Sequence, residues 1–267
     1  MSLVYKYYNP DRSEFFKKAM LQFTTPDDLN DPVDCIPAID IIDIDKRIQS
    51  VIDRNVNNIR GRLPQKAIDN ASHQLRLQIT NNKEAFLSTI LDIHKRQIND
   101  RFGILSLSKK PDIELMWSHY CHDHSGIVIG LDSSSNFFKR RTDDRPDIGV
   151  LREVQYKKIL PTIYVDDYKV PPDLFYTKKD IWKYEKEVRI IRELKNCDKH
   201  INNGGKEIHL WYFPKSDIRC VIFGMRCNDD TINQIINDIK SDKEYNVELK
   251  KMDYDNNGMF KMFEYDQ

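Results

Sequence analysis

No stretch of this 267-residue chain is apolar over anything near the ~20 residues that a membrane-spanning helix needs. The chain also lacks a charge of one sign. Lys plus Arg and Asp plus Glu each number 42, so no global basic excess points to nucleic acid. Cysteine pairs are missing: Cys35, Cys121, Cys197, Cys220 and Cys227 are scattered, contain no Cys-x-x-Cys, and fit no common zinc spacing. The opening Met1–Lys6 has no signal-peptide architecture, so the expectation is a cytoplasmic protein with reduced thiols. Gly-x-Gly-x-x-Gly after a strand, a Walker-type loop, His-Glu-x-x-His and Gly-x-Ser-x-Gly are all absent. Neither a repeat of 20–50 residues nor a low-complexity tract occurs, which excludes solenoids and arrays.

What is present is an ordinary globular composition with two unusual blocks. The first runs from Leu115 to Asp132 and packs Trp117, Tyr120 and three of the seven histidines into the eight residues Trp117–His124. Asp112 is positioned to cap a short helix carrying Met116, Trp117 and Tyr120, and Ile127–Leu131 follows with strand character. His119, His122 and His124 lie close together, but no Cys, Asp or Glu set completes a metal spacing, so no metal is expected.

The second block is Trp182-Lys-Tyr-Glu-Lys-Glu-Val-Arg-Ile-Ile191. Read as a strand, it puts Glu185, Glu187, Arg189 and Ile191 on one face. Two acids and an arginine on one strand face are the inventory of a site rather than of a plain core strand. Pro171-Pro172 reads as the start of a helix through Trp182.

Strands are expected at Leu3–Tyr8, Met20–Thr25, Leu151–Tyr156, Glu207–Phe213 and Ile218–Phe223, with Phe102–Ser108 half-buried. Asn30-Asp31-Pro32 is a turn whose side-chain oxygens could also face a site. Polar residues 133–149, basic around Lys139–Arg141, read as a loop with a small helix. A helix capped by Asp229 or Asp230 carries Ile232, Ile235, Ile236 and Ile239, and a hairpin around Asn256-Asn-Gly258 closes the chain. Between Ile36 and Arg101 the period becomes helical, broken at Pro64 and Asn81-Asn82. The reading is one α+β domain over 1–267 with a mostly antiparallel sheet core and a helical insertion at 36–101.

With these blocks placed, the chain resembles a widespread bacterial family known only as a domain of unknown function. The likeness lies in Tyr5-Lys6-Tyr7, Phe23-x-x-Pro26-x-x-x-Asn30-Asp31-Pro32, Met116-Trp117-Ser118-His119-Tyr120 with His124-x-Gly126, Trp182-x-Tyr184-Glu185-x-Glu187-x-Arg189, and Val221-Ile222-Phe223-Gly224. A second resemblance is to ADP-ribosyltransferases: an aromatic-basic opening strand, a strand ending in Phe23-Thr24-Thr25, and a later Glu-x-Glu strand. The opening strand departs from that pattern, since no His or Arg stands at Tyr5–Tyr7.

That resemblance implies an ADP-ribosyltransferase-like sheet and NAD as substrate. It implies Glu187, Tyr120 and His119 as the catalytic set, and Lys6, Tyr7, Trp117, Tyr184, Glu185 and Arg189 as residues binding NAD. The macromolecule modified would be nucleic acid or protein, with the chain a toxin or antiphage effector that an antitoxin partner could restrain. Two other readings stay open: a non-enzymatic nucleotide- or protein-binding sensor of a defence locus, and a nuclease using Asp31, Glu185, Glu187 and His119 with a divalent metal. Oligomeric state is left undetermined.

Overall fold

The computed structural model describes residues 2–139, 148–167 and 171–265; Arg140-Arg141 of the basic run lies outside them. Fifteen strands appear in chain order among these residues. They are β1 (Leu3–Tyr8), β2 (Met20–Phe23), β3 (Ala38–Ile39), β4 (Phe102–Ser108), β5 (Ile127–Asp132), β6 (Arg152–Glu153), β7 (Gln155–Lys157), β8 (Thr162–Ile163), β9 (Thr177–Lys179), β10 (Glu187–Glu193), β11 (Lys199–Asn203), β12 (Lys206–Tyr212), β13 (Ile218–Phe223), β14 (Glu248–Tyr254) and β15 (Phe260–Glu264). The α-helices are α1 (Phe15–Lys18), α2 (Ile44–Ile59), α3 (Gln65–Asn81), α4 (Lys83–Asn99), α5 (Glu114–Tyr120) and α6 (Asp229–Lys240).

The main sheet runs β15-β14-β13-β5-β1-β4-β10-β6. All its ladders are antiparallel except β13 on β14. A second antiparallel sheet, β11-β12-β2, packs beside it. The class is therefore α+β with a mostly antiparallel core, as the run of strands in the second half without regular βαβ alternation leads one to expect.

Both faces of the main sheet are covered. On one, Leu105, Leu107, Ile129, Ile190 and Val221 pack with Phe15, Phe16, Trp211 and the α6 stripe Ile232, Ile235 and Ile236. On the other, Tyr7, Val128 and Ile222 meet Met116 and Trp117 of α5, and Ile104 and Ile191 meet Ile98, Leu174 and Phe175. Double coverage is why β4 is buried along both faces instead of half-buried. Its alternation of Phe102, Ile104, Ser106 and Ser108 with Gly103, Leu105 and Leu107 separates a polar-edged face from an apolar one, not water from core.

The 36–101 stretch forms α2, α3 and α4 with breaks at Pro64 and Asn82, as read from the sequence. Ile48, Ile52 and Ile79 close a small core of their own with Val165. Arg47 pins α2 to Asp166 at 2.9 Å. Among the described residues no helix is long and apolar enough to cross a membrane.

Three local expectations are corrected. Residues 172–182 are not one helix. A short 3-10 turn (172–176) gives way to β9 and then to a second 3-10 turn (180–185). The helix α5 begins after Ile113 without a side-chain cap from Asp112, and α6 is capped by Asn228, whose side chain accepts the Thr231 N–H at 2.7 Å. The histidine cluster is the tight exit from α5, with His122, Asp123 and His124 all in the left-handed region (φ 46°, 50° and 68°). Backbone bonds from His124 N–H to the Trp117 carbonyl and from Gly126 N–H to the Cys121 carbonyl hold it.

Candidate functional site

The central strands β1 and β4 are the key to the site. Their ladder has one register pair, Tyr5 opposite Ser108. Beyond it the strands part, and the chain just after β2 takes the vacated place: Thr24 and Ile104 exchange both backbone hydrogen bonds, at 2.9 and 2.8 Å. A fork in the middle of a sheet exposes strand interiors that would otherwise be sealed. A cavity of about 290 Å³ opens there, between the β1–β4 fork, α5 and the turn around Asn30. Lys6 reaches across the fork to donate to the Ser106 carbonyl at 3.0 Å.

The cavity floor is a buried ionic network. Arg189 donates to both oxygens of Glu187 (Nε to Oε1 2.5 Å, Nη2 to Oε2 3.0 Å) and, on its other edge, to both oxygens of Asp34, with Nη1 to Oδ1 at 2.9 Å. A guanidinium gripping two carboxylates bidentately is the strongest form such a contact takes. Lys178 donates to Glu185 Oε2 at 2.6 Å and lies 3.4 Å from Glu187 Oε2 and 3.8 Å from Asp34. The Tyr120 hydroxyl donates to Glu185 Oε1 at 2.5 Å and accepts from Asn30 Nδ2 at 2.7 Å.

Local chain geometry explains how the two glutamates converge. They do not share a strand face, because β10 starts at Glu187. Glu185 ends the preceding 3-10 turn, and Lys186 between them adopts a left-handed conformation (φ 49°). The Ser108 hydroxyl donates to the Glu185 carbonyl at 2.7 Å, and the Glu187 N–H donates to the Tyr156 hydroxyl at 2.8 Å.

Within the hydrogen-bonded floor, Asp34, Glu185 and Glu187 gather about Lys178 and Arg189, while Lys6 at the fork is a third cation that Glu187 attracts from outside that network. The carboxyls respond unequally. Burial alone would raise Glu187, but Arg189 and Lys178, helped by hydrogen bonds from Arg189 and Ser106, hold it at about 2. Glu185 is raised, first by burial and then by Glu187, against the pull of Lys178 and Tyr120. Lys178 stays charged because Glu187 and Glu185 outweigh its burial. Burial lowers Lys6 to about 8. Two neighbouring carboxyls pushed in opposite directions are the usual mark of an acid–base pair.

Of the residues read from the sequence, Lys6, Tyr7, Tyr120, Glu185, Glu187 and Arg189 all border this cavity. Three do not. Trp117 is fully buried behind it, its indole N–H donating to the Pro111 carbonyl at 2.7 Å, so it supports the wall without forming it. His119 is exposed on the outer side of α5, its ring edge against Tyr120. Tyr184 packs against the α5 cluster and Trp182. Asp31 of the nuclease reading is buried in its own turn, accepting the Val33 N–H.

Sequence reasoning missed Asp34, Lys178, Ser106 and Ser108. The Ser106 and Ser108 hydroxyls in an otherwise apolar strand were the available signal. For Lys178 the helical reading of 172–182 hid it. Asp34 sits 155 positions from Arg189, and no local pattern reports such a pair.

Residues 116–190 match the sequence family described as "Protein of unknown function (DUF2971)". That segment runs from α5 into β10 and so carries Tyr120, Lys178, Glu185, Glu187 and Arg189. No curated protein and no solved structure matches the chain.

Proposed function

We propose that this chain, a carrier of that domain of unknown function, is an ADP-ribosyltransferase-like enzyme whose active site is the cavity at the β1–β4 fork. One observation supports the reading above others: three carboxyls, Asp34, Glu185 and Glu187, converge on the buried floor, with Glu185 and Glu187 pushed in opposite directions. Carboxylates gathered in a low-dielectric cleft stabilise a ligand that becomes cationic as it reacts.

NAD is such a ligand. The bond from the anomeric carbon to the nicotinamide nitrogen breaks, and nicotinamide leaves neutral with the bonding pair. The ribosyl carbon becomes oxocarbenium-like until a hydroxyl or amine of the acceptor bonds to it and gives up a proton. The departing group needs no acid, so the protein's tasks are charge stabilisation, ring packing and exclusion of water.

In this reading the two glutamates exchange the parts the family resemblance assigns. Glu187, held at about 2 with Arg189 bidentate upon it, stays a fixed anion and sets the field. Glu185, with its raised proton affinity, is the group suited to face the reacting carbon and take the acceptor's proton. Tyr5, Tyr7, Met116 and Tyr120 supply ring-packing walls, and Lys6 at the fork is the lining cation outside the floor's carboxylate network, suited to a phosphate. The acceptor would be a protein or nucleic acid. An antitoxin-type partner is compatible with the exposed Ile41, Ile42, Leu63, Leu77 and Ile93 of the insertion.

The nuclease reading is weakened because Lys178 and Arg189 already fill the space between the carboxylates that a divalent ion would take. The test is purified protein with isotopically labelled NAD and cell lysate, alongside Glu185→Gln and Glu187→Gln. Transfer of label to macromolecules by the wild type is expected. Removing one charge-stabilising group should cut the rate by about 10²–10³ in Glu185→Gln. Full activity in Glu185→Gln would sink the assignment. NAD binding without nicotinamide release by the wild type would turn the reading to a nucleotide sensor, which the rigid, pre-paired Arg189 clamp would also suit.

A further inference from the structure

Away from the cavity, the β11–β12 hairpin gathers three potential ligands. Its turn is Gly204-Gly205 with φ of 61° and 88°. Two successive positive φ values are what a two-residue turn matched to strand twist requires, and glycine adopts them without strain. The Gly205 N–H donates to Asn202 Oδ1 at 3.0 Å. That turn sets the register, placing Asn202 opposite Glu207 and His200 opposite His209. Directly opposed residues, and those two apart on one strand, share a face.

His200, Glu207 and His209 consequently stand together. The two rings stack with centroids 5.2 Å apart and planes 24° from parallel. His200 Nε2 contacts Glu207 Oε2. One donor atom from each of the three residues lies within 4.8 Å of the others. Asn202 Nδ2 donates to Glu207 Oε1 at 2.8 Å, orienting the carboxylate so that its other oxygen faces the histidines. His209 Nδ1 is buried and has no hydrogen-bond partner.

We propose that His200, Glu207 and His209 form a binding site for a divalent transition metal of the zinc class. Two imidazoles and one carboxylate make a three-ligand zinc set that leaves a fourth position for water or a ligand. Donors on one such ion stand roughly 3–4 Å apart, which these side chains reach by small rotations. Asn202 is the outer partner such sites use to hold a carboxylate in place. Side-chain exposures of 50% for His200 and 46% for Glu207 give the ion a path in. A metal here would also stiffen the hairpin beside the cavity, since Lys206 at its tip pairs at 2.9 Å with Asp28, a cavity residue.

The experiment is titration of the chelator-treated full chain with zinc chloride by calorimetry, with melting temperatures recorded with and without zinc. One equivalent is expected to bind and to raise the melting temperature. Loss of an outer partner alone weakens metal sites about 10- to 100-fold, so His200→Ala and Glu207→Gln should lose at least that. Both positions are half exposed, so their zinc-free melting should be unchanged. Absence of saturable binding, or equal binding in both variants, would overturn the proposal and leave the trio a surface ion pair.

Discussion

Glu187 is the residue at which the site's electrostatics can be read as stability. Its carboxyl is held at about 2, against 4.5 for an unperturbed glutamate, because Arg189 and Lys178 overcome its burial. A folded-state value below the unfolded one means that the ionised form stabilises the fold above about pH 4.5. That contribution is lost as the pH falls toward 2. Asp132, also held at about 2 by Ser134 and Arg219, acts the same way. Glu185 has the opposite sign, since its raised value favours the fold as the pH drops from neutral toward 4.5. The urea midpoint of the wild type is therefore expected to peak near about pH 5 and to fall steeply below it. In Glu187→Gln the fall should be shallower, with Asp132, Glu193 and the other lowered acids supplying what remains. Midpoints measured from pH 7 to pH 2.5 check this, and parallel curves for the two proteins would refute it.

At the scale of the element, the turn into β10 matters more than the strand itself. Glu185 and Glu187 reach Lys178 together only because Lys186 takes a left-handed conformation between them. A β-branched residue resists that conformation, at a cost of about 1–2 kcal/mol. Lys186→Val is accordingly predicted to lose about that much stability and, on the proposed function, to reduce NAD turnover, whereas Lys186→Gly should keep the fold. Denaturation and activity measured on the two variants separate backbone strain from loss of the lysine charge. An alternating strand pattern through 185–191 could not reveal the kink, because Glu-Lys-Glu reads identically whether its chain is straight or turned. The helix reading of 172–182 failed for a related reason: Pro171 and Pro172 are compatible with a 3-10 turn as well as with a helix start, and the pairing of β9 on β7 decided the matter.

Across the molecule, the double coverage of the sheet also governs the thiols. Cys35, Cys121, Cys220 and Cys227 are buried, and burial raises each, Cys220 and Cys227 to about 11. Cys197 alone is partly exposed. Native protein at pH 7.5, a value on the order of ordinary assay pH, should thus react with iodoacetamide at Cys197 first, because thiolate fraction and access set the rate. Peptide mapping by mass spectrometry checks the order. Early labelling of Cys35 would mean that the Asp34–Arg189 floor opens in solution.

Local pattern in the sequence was enough for the kinds of element: the helices α2–α4 with breaks at Pro64 and Asn82, the closing hairpin, the apolar α6 stripe, and a mostly antiparallel α+β class. These follow from periodicity and turn chemistry, which act over a few residues. It also marked the two blocks around Tyr120 and Glu185–Arg189 that line the cavity. Only the tertiary structure decided which residues of those blocks face it. Trp117 and Tyr120 lie on the same short helix, yet one is sealed behind the wall and the other touches Glu185. It likewise decided the partners, bringing Asp34 and Lys178 to Arg189 and Glu187 and forking β1 from β4. A local pattern encodes whether a side chain is buried. What it meets there depends on contacts between segments far apart in the chain, and the charge balance of the site is built from those.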